Sequence, residues 1–525
     1  MKVLKSILIL LFVIIALRSL NFLFQSLDWP LEYCIDMILM KFFAWSWNKG
    51  HSLYTDIYTY NLPVTVYINY IWLKLFGGSS FSMRSLDVVW NLFVATSCFI
   101  YLKKYSKLIA FFGFCLSLTL LENATNFGAF QRETMMLPFL VISMHSIEKF
   151  LENKQNKFLI LFSFCTIISF FIKPTAILLF ILLCIYYFYK VNFSVNLLYS
   201  FILNNFIYLV LCTCILSLPF LMKGNLLSSV YNWYSYFKDL SIALDTKSYS
   251  ELLKTIFSFS PRYWNVPLNQ PVLEFNSTGH FGIIHLFFIL FYFIFLIYKK
   301  VPFTPLLLLL CSIGNYLIQA KGFAYHLFLF WFSILLMSIL LIHAFLVEIE
   351  EEKKGKPIYI ILVLFFSYTH FSSQSKSLKF YKGTGLYTIW GETKKNLPKS
   401  FLSQELILLE RNFSNKPIKV QVFETYHSIS LATIMELDMQ YASRYPEAYI
   451  FYSEDPRLAI HKQNLIQDLN SNVPDLIILD KEGRFNQKRD LFKTFPEIKT
   501  FLKNYKYYKE IEDLNNVHYQ IYLKK

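Results

Sequence analysis

Residues 158–190 read FLILFSFCTIISFFIKPTAILLFILLCIYYFYK. Between Phe158 and Tyr189 the only charge is Lys173, and it stands beside Pro174. A helix facing water carries polar residues on one side, whereas each half of this block is apolar all round. The halves, 158–172 and 174–190, approach the ~20 residues that one membrane crossing needs. Lys173-Pro174 then marks a tight turn, since proline interrupts a helix and a lysine near lipid needs water or an anion.

The same composition recurs outward from this block. Of 525 residues, 55% are hydrophobic and 16% charged, which places the chain in the polytopic membrane class. A net charge of +15 suggests nucleic acid in a soluble protein, but here the lysines flank apolar segments as topology requires, and no nucleic-acid partner is expected. About eleven apolar stretches qualify as spans: 4–24, 84–102, 108–124, 134–150, 158–172, 174–190, 198–221, 281–299, 302–320, 324–346 and 356–371. The first follows a basic start and precedes no small-residue cleavage site, so it reads as an uncleaved span. Seven of the eight cysteines lie inside apolar stretches and Cys34 lies outside them, so no disulfide framework or zinc spacing follows.

Alternate loops are basic. Lys103, Lys104 and Lys107, then Lys149, Lys154 and Lys157, then Lys190, then Lys299 and Lys300, then Lys353, Lys354 and Lys356 mark the cytoplasmic side. The other side receives residues 25–83, 222–280 and 372–525, leaving 1–371 as the membrane domain. The tail reads as an α/β domain, with strands at 418–423 (IKVQVF), 448–452 (AYIFY), 476–479 (LIIL) and 519–523 (YQIYL), and a helix over 428–442. On this topology nearly every chemically capable group of the apolar region faces outward: Asp28, Glu32, Asp36, Asp56, Arg132, Glu133, Lys173, Lys321 and His326. That is the pattern of a one-sided chamber.

In the first outer loop, Pro30 can open a helix capped by Asp28, and LEYCIDMILMKFFAWSW has the aromatic, amphipathic look of a helix lying on the membrane surface. Glu32 and Asp36 share its face, either as a solvated edge or as a base whose proton affinity rises against apolar surroundings. Gly50, Tyr54, Asp56, Pro63, Leu75-Phe76-Gly77 and Arg84 follow in order.

This loop resembles that of the GT-C superfamily of membrane glycosyltransferases, in particular bacterial enzymes of the glycosyltransferase family 39 type related to protein mannosyltransferases and aminoarabinose transferases. Their pattern is an acidic residue, an interfacial helix, G-x-x-x-Y-x-D, a proline-containing stretch, L-F-G and an arginine. Gln319-Ala320-Lys321-Gly322-Phe323-Ala324-Tyr325-His326 resembles a Q-x-K-G-x-x-Y-H pattern of the same superfamily. The resemblance implies a GT-C-like fold in a bacterial inner membrane and transfer of a hexosyl or pentosyl group from a polyprenyl-phosphate donor. The acceptor is a glycolipid, polysaccharide or protein on the periplasmic side. It makes Asp36 the base, although the family's Asp-Glu pair is Asp36-Met37 here and Glu32 shares the candidacy. Asp56 either orients the acceptor or holds a divalent metal ion.

Arg132 and Glu133 open one span, either pairing internally or meeting a phosphate, for which the planar guanidinium is suited. Lys173, Lys321, Tyr325, His326 and Arg84 complete the candidate donor-phosphate set. No P-loop, no G-x-G-x-x-G after a strand, no H-E-x-x-H and no Asp-x-Asp occurs, so ATP, dinucleotide and nucleotide-sugar chemistry find no support. Three other classes remain in view: an oligosaccharide polymerase or ligase, a lipid or solute transporter, and a non-catalytic scaffold.

Overall fold

The computed structural model describes residues 2–25, 27, 35–124, 131–192, 195–243, 248–252, 289–319, 324–351, 400–413, 417–424, 429–480, 490–513 and 517–525. Helices come first: α1 (Lys2–Gln25), α2 (Ile35–Asn48), α3 (Pro63–Phe76), α4 (Ser80–Leu102), α5 (Lys107–Ala124), α6 (Arg132–Asn153), α7 (Asn156–Ile172), α8 (Ile177–Lys190), α9 (Val195–Met222), α10 (Leu226–Ala243), α11 (Thr304–Gln319) and α12 (Phe328–Glu351). The tail mixes both types: α13 (Phe401–Asn412), β1 (Lys419–Phe423), α14 (Ile429–Glu436), β2 (Gln440–Tyr441), α15 (Ala459–Ser471), β3 (Leu476–Asp480), α16 (Leu491–Thr494), α17 (Pro496–Phe501), β4 (Tyr505–Asp513) and β5 (Val517–Lys524). The chain forms two compact units, one of Met1–Ser26, Asp87–Ile215 and Thr246–Lys395, the other of Leu27–Leu86, Leu216–Asp245 and Asn396–Lys525.

Among the described residues, three helices are long and apolar enough to cross a membrane: Ser80–Leu102, Phe201–Met222 and Phe328–Glu348. Shorter apolar helices, Lys107–Leu118, Asn156–Ile172, Pro174–Lys190 and Thr304–Gln319, accompany them. The apolar window of α12 is 83% buried and that of α9 only 11%, so one is a core helix and the other exposes its leucines and aromatics nearly all round. A helix apolar on every side and left uncovered by protein suits a lipid environment. Phe12 of α1 stacks on Phe112 of α5 with ring centroids 4.1 Å apart. Gly113 lets α5 approach α4 so closely that an added Cβ would lie 2.2 Å from Leu102 Cδ1. Ser163 donates to Asn205 at 2.6 Å, tying α7 to α9. The break expected within residues 158–190 is present: α7 stops at Ile172, Lys173 is extended as a residue before proline must be, and Pro174 opens a short 3-10 turn ahead of α8.

The second unit centres on a five-stranded mixed sheet of order β2-β1-β3-β5-β4. β2, β1 and β3 run parallel, while β5 is antiparallel to β3 and β4 to β5. Register follows from Val420 opposite Leu476 and Leu476 opposite Leu523. Every residue of β3 is buried, as befits a central strand covered on both faces. β4, with Lys506, Lys509, Glu510 and Glu512, is an edge strand that its charges protect from further pairing.

Two readings of the tail change, and one of the first outer loop. Ala448–Tyr452 is not a strand: Tyr449–Tyr452 form a 3-10 turn, and a run apolar at every position carries no alternation to choose between the two. The Tyr452 hydroxyl donates to Phe423 O (3.3 Å) and Asp480 O (2.7 Å), bridging the ends of β1 and β3. The expected helix 428–442 is shorter, since α14 ends at Glu436 and the chain turns through left-handed Asp438 into β2. The helix read as lying on the membrane surface also differs, for residues 38–46 of α2 are all buried, Lys41 included. α3 and α14 pack on α2, and Phe42 meets the Tyr441 ring at 5.3 Å. Asp28 and Glu32 lie outside the described residues, as does Cys34.

Both expected outer loops supply residues to this unit. Tyr236, Leu240 and Ala243 of α10 enter the same buried cluster as Phe423, Tyr445 and Leu479 of the tail. Tyr58 N donates to Arg444 O at 2.8 Å, and Lys49 pairs with Asp438 at 2.5 Å.

Candidate functional site

The helical unit brings together candidate residues from three separate stretches of chain. Glu133 is the second residue of α6, where the helix dipole favours a carboxylate. Lys173 follows α7, held extended by Pro174, and its ammonium pairs with Glu133. It also donates to Gln319 Oε1, in the last turn of α11, at 2.6 Å. Gln319 is oriented in turn by donating from Nε2 to Asn315 O at 2.9 Å. His326, in the 3-10 turn Ala324–Leu327, places Nε2 3.8 Å from Glu133 Oε1. The Glu133 and Lys173 side chains are 1% and 5% exposed. Two such charges tolerate burial because each neutralises the other and hydrogen bonds satisfy part of the remainder. Glu133 Oε2 has no hydrogen-bond partner among the described residues.

Arg132, half-buried, adjoins this cluster in sequence. With His326 neutral, Arg132, Glu133 and Lys173 together carry one net positive charge, so the group can attract an anion only weakly while Glu133 holds Lys173. Lys321 lies outside the described residues. So does the side chain of Tyr325, although its backbone belongs to the same 3-10 turn as His326.

The remaining candidates sit in the second unit. Asp36 is on α2, and its side chain lies outside the described residues. Asp56 is exposed and spends one oxygen on a local bond, accepting from Ser52 N at 2.7 Å. The surrounding Gly50–Asp56 loop is tightly determined. Tyr54 takes the left-handed conformation at φ 68°, which costs a side-chain-bearing residue ~1–2 kcal/mol. Burial offsets that cost: the phenol donates to Asn61 O at 2.7 Å, and its ring lies 5.7 Å from that of Phe220. Burial, with Tyr67 adding, pushes the Tyr54 phenol well above its ordinary pKa, so it stays a neutral donor. Arg84, in the first turns of α4, is 2% exposed. Nearby, buried Lys41 donates to Met83 O at 2.5 Å.

Among the described residues, no three His, Cys, Asp or Glu side chains come close enough to share a metal ion.

Two groups escaped the sequence reading. Near the far end of α6, about 22 Å from Glu133 at 1.5 Å per residue, Glu148 pairs with Lys104 and accepts from Thr304 at 2.6 Å. Thr304 Oγ1 lies 2.8 Å from the Tyr101 hydroxyl. Buried charge is therefore present at both ends of α6, which narrows the one-sided picture. From the sequence Lys104 reads only as a topology marker, and Glu148, beside Lys149, gives no sign of its burial. The second group joins His461 Nε2 to Asp239 Oδ2 at 2.8 Å and His461 Nδ1 to the Tyr445 hydroxyl at 3.1 Å. Nothing in the spacing of these residues signals that they meet.

No protein-family model matches the chain, and no curated protein matches it.

Proposed function

We propose that the chain is an outer-face glycosyltransferase of GT-C-like architecture, with about eleven spans and a polyprenyl-phosphate-linked sugar as donor. The observation that carries this reading is the meeting of Glu133, Lys173, Gln319 and His326 in one buried polar cluster of the membrane-type unit. Such a cluster among apolar helices offers the charged head of a lipid-anchored donor an ammonium, Lys173, for which it competes with Glu133.

In the proposed reaction the acceptor hydroxyl oxygen attacks the sugar C1 from the side opposite the lipid phosphate. The C1–O bond to that phosphate breaks, configuration inverts, and Asp36 takes the acceptor proton. The departing phosphate gains negative charge, which Arg132, Lys173 and Lys321 offset. Glu133 keeps Lys173 paired and oriented in apolar surroundings until a phosphate competes for it. α2, which carries Asp36, is backed by the tail through Phe42 and Tyr441, so the tail supports the base as well as any acceptor.

The direct test compares wild type and Asp36→Asn in membranes supplied with lipid-phosphate sugars. Loss of transfer with donor binding retained supports the reading; full transfer by the variant removes the base and the mechanism with it. Product mass separates addition of one sugar from the block transfer of a polymerase or ligase.

A further inference from the structure

The segment following α9 carries a stripe that neither the sheet domain nor the proposed chemistry uses. α9 ends at Met222, and Gly224 at φ 66° closes it, with Gly224 N bonded to Leu221 O (3.0 Å) and Asn225 N to Phe220 O (3.1 Å). Glycine in this left-handed position ends a helix within one residue or two. α10 therefore begins, at Leu226, directly where the membrane-length helix stops.

α10 has two apolar faces. Tyr236, Leu240 and Ala243 are buried in the core of the tail domain. On the opposite side Leu227, Val230, Tyr231, Tyr234 and Phe237 are exposed, from 85% at Leu227 to 47% at Phe237. Their spacing of three or four residues aligns them in one stripe. Lys238 and Ser241 continue the stripe as exposed polar residues, so it is apolar toward the end joined to α9 and polar away from it. Trp233 fixes the helix rotation by donating from Nε1 to Tyr60 O at 3.1 Å.

We infer that α10 is a membrane-surface strap, its Leu227–Phe237 face embedded among the lipid headgroups of the leaflet from which α9 emerges and its other face holding the tail domain to that surface. The occupant is lipid because the stripe begins within a single turn of a membrane-length helix. Its tyrosines also have the form that favours the headgroup zone, an apolar ring with a polar tip. The inference rests on α9 crossing the membrane and is independent of the transferase reading.

The test places the photoreactive residue benzoylphenylalanine at 231, 234 or 241 in the full chain, reconstituted in vesicles of phosphatidylethanolamine and phosphatidylglycerol. After irradiation, mass spectrometry should find lipid adducts at 231 and 234 and none above background at 241. Crosslinks from 231 and 234 to a second copy or another protein would overturn the inference. So would an absence of lipid adducts at both positions, or equal adducts at all three.

Discussion

Replacing Lys173 with methionine keeps most of its aliphatic bulk and removes its charge. Glu133, with a side chain 1% exposed, then keeps its negative charge in an apolar site without its principal partner. Breaking a buried pair in this way costs about 3–5 kcal/mol, because the orphaned ion retains its desolvation penalty. At about 2 °C per kcal/mol for a unit of this size, the detergent-solubilised variant should unfold roughly 6–10 °C below wild type. Glu133→Gln should cost a similar amount, since it strands the ammonium instead. The double variant Lys173→Met/Glu133→Gln removes both charges and should recover most of the loss, so that its cost falls below that of either single variant and far short of their sum. Thermal unfolding followed by intrinsic fluorescence, over the four members of the cycle, reads this directly. Wild-type stability in Lys173→Met, or strict additivity in the double variant, would refute the claim that the two charges neutralise each other in burial.

Gly113→Leu should destabilise the helical unit by about 1–3 kcal/mol, since even a Cβ there lies 2.2 Å from Leu102 Cδ1 and 3.2 Å from Cys98 Sγ. Gly113→Leu combined with Leu102→Ala should lose less stability than the two single changes summed, whereas an unaltered Gly113→Leu chain would contradict the close approach of α4 and α5. In the tail, burial acts to raise the Glu405 carboxyl, but hydrogen bonds from Lys509 (2.6 Å) and Tyr508 (2.9 Å) outweigh it and hold the group below its ordinary pKa. A depressed carboxylate contributes stability that is complete above its unfolded value of about 4.3 and disappears as pH falls through the lower folded value. Lys509 is half exposed, so the contribution is about 0.2–1 kcal/mol. Lys509→Ala should weaken the acid-dependent fall in tail stability below about pH 4, and hydrogen exchange in the tail measures it; an identical pH profile in the variant would count against the pairing.

What could be read from the residues alone divides along physical lines. Long apolar helices, and the break at Lys173-Pro174, were legible because solvation and proline act locally. So were β1, β3 and β5, since β1 and β3 are short runs rich in β-branched and aliphatic residues and β5 alternates, with Tyr519 and Ile521 buried between half-buried neighbours. β4 was missed because its lysines and glutamates look like a solvated segment, and β2 because a strand of two residues has no period. Glu133, Lys173 and His326 stood out as ionisable residues where few belong, and those three do meet. The pairing of Glu148 with Lys104 was hidden, because a charge in a basic loop carries no sign of its burial. The burial of α2 was hidden for a different reason: its second covering layer comes from α14, some four hundred positions later, and no local pattern reports on so distant a neighbour.

That distance sets an order of events during synthesis. Tyr58 and Arg444, which touch in the finished protein, are 386 positions apart. At ribosomal speed the first loop therefore waits about 20–80 s for the strand segment it docks against. Throughout that interval Phe42, Phe43 and Trp45, all buried at the end, lack their final cover. A chain halted before Asn396 never acquires that cover, so prematurely terminated copies carry an adhesive flag that chaperones and proteases can read, and only full-length translation silences it.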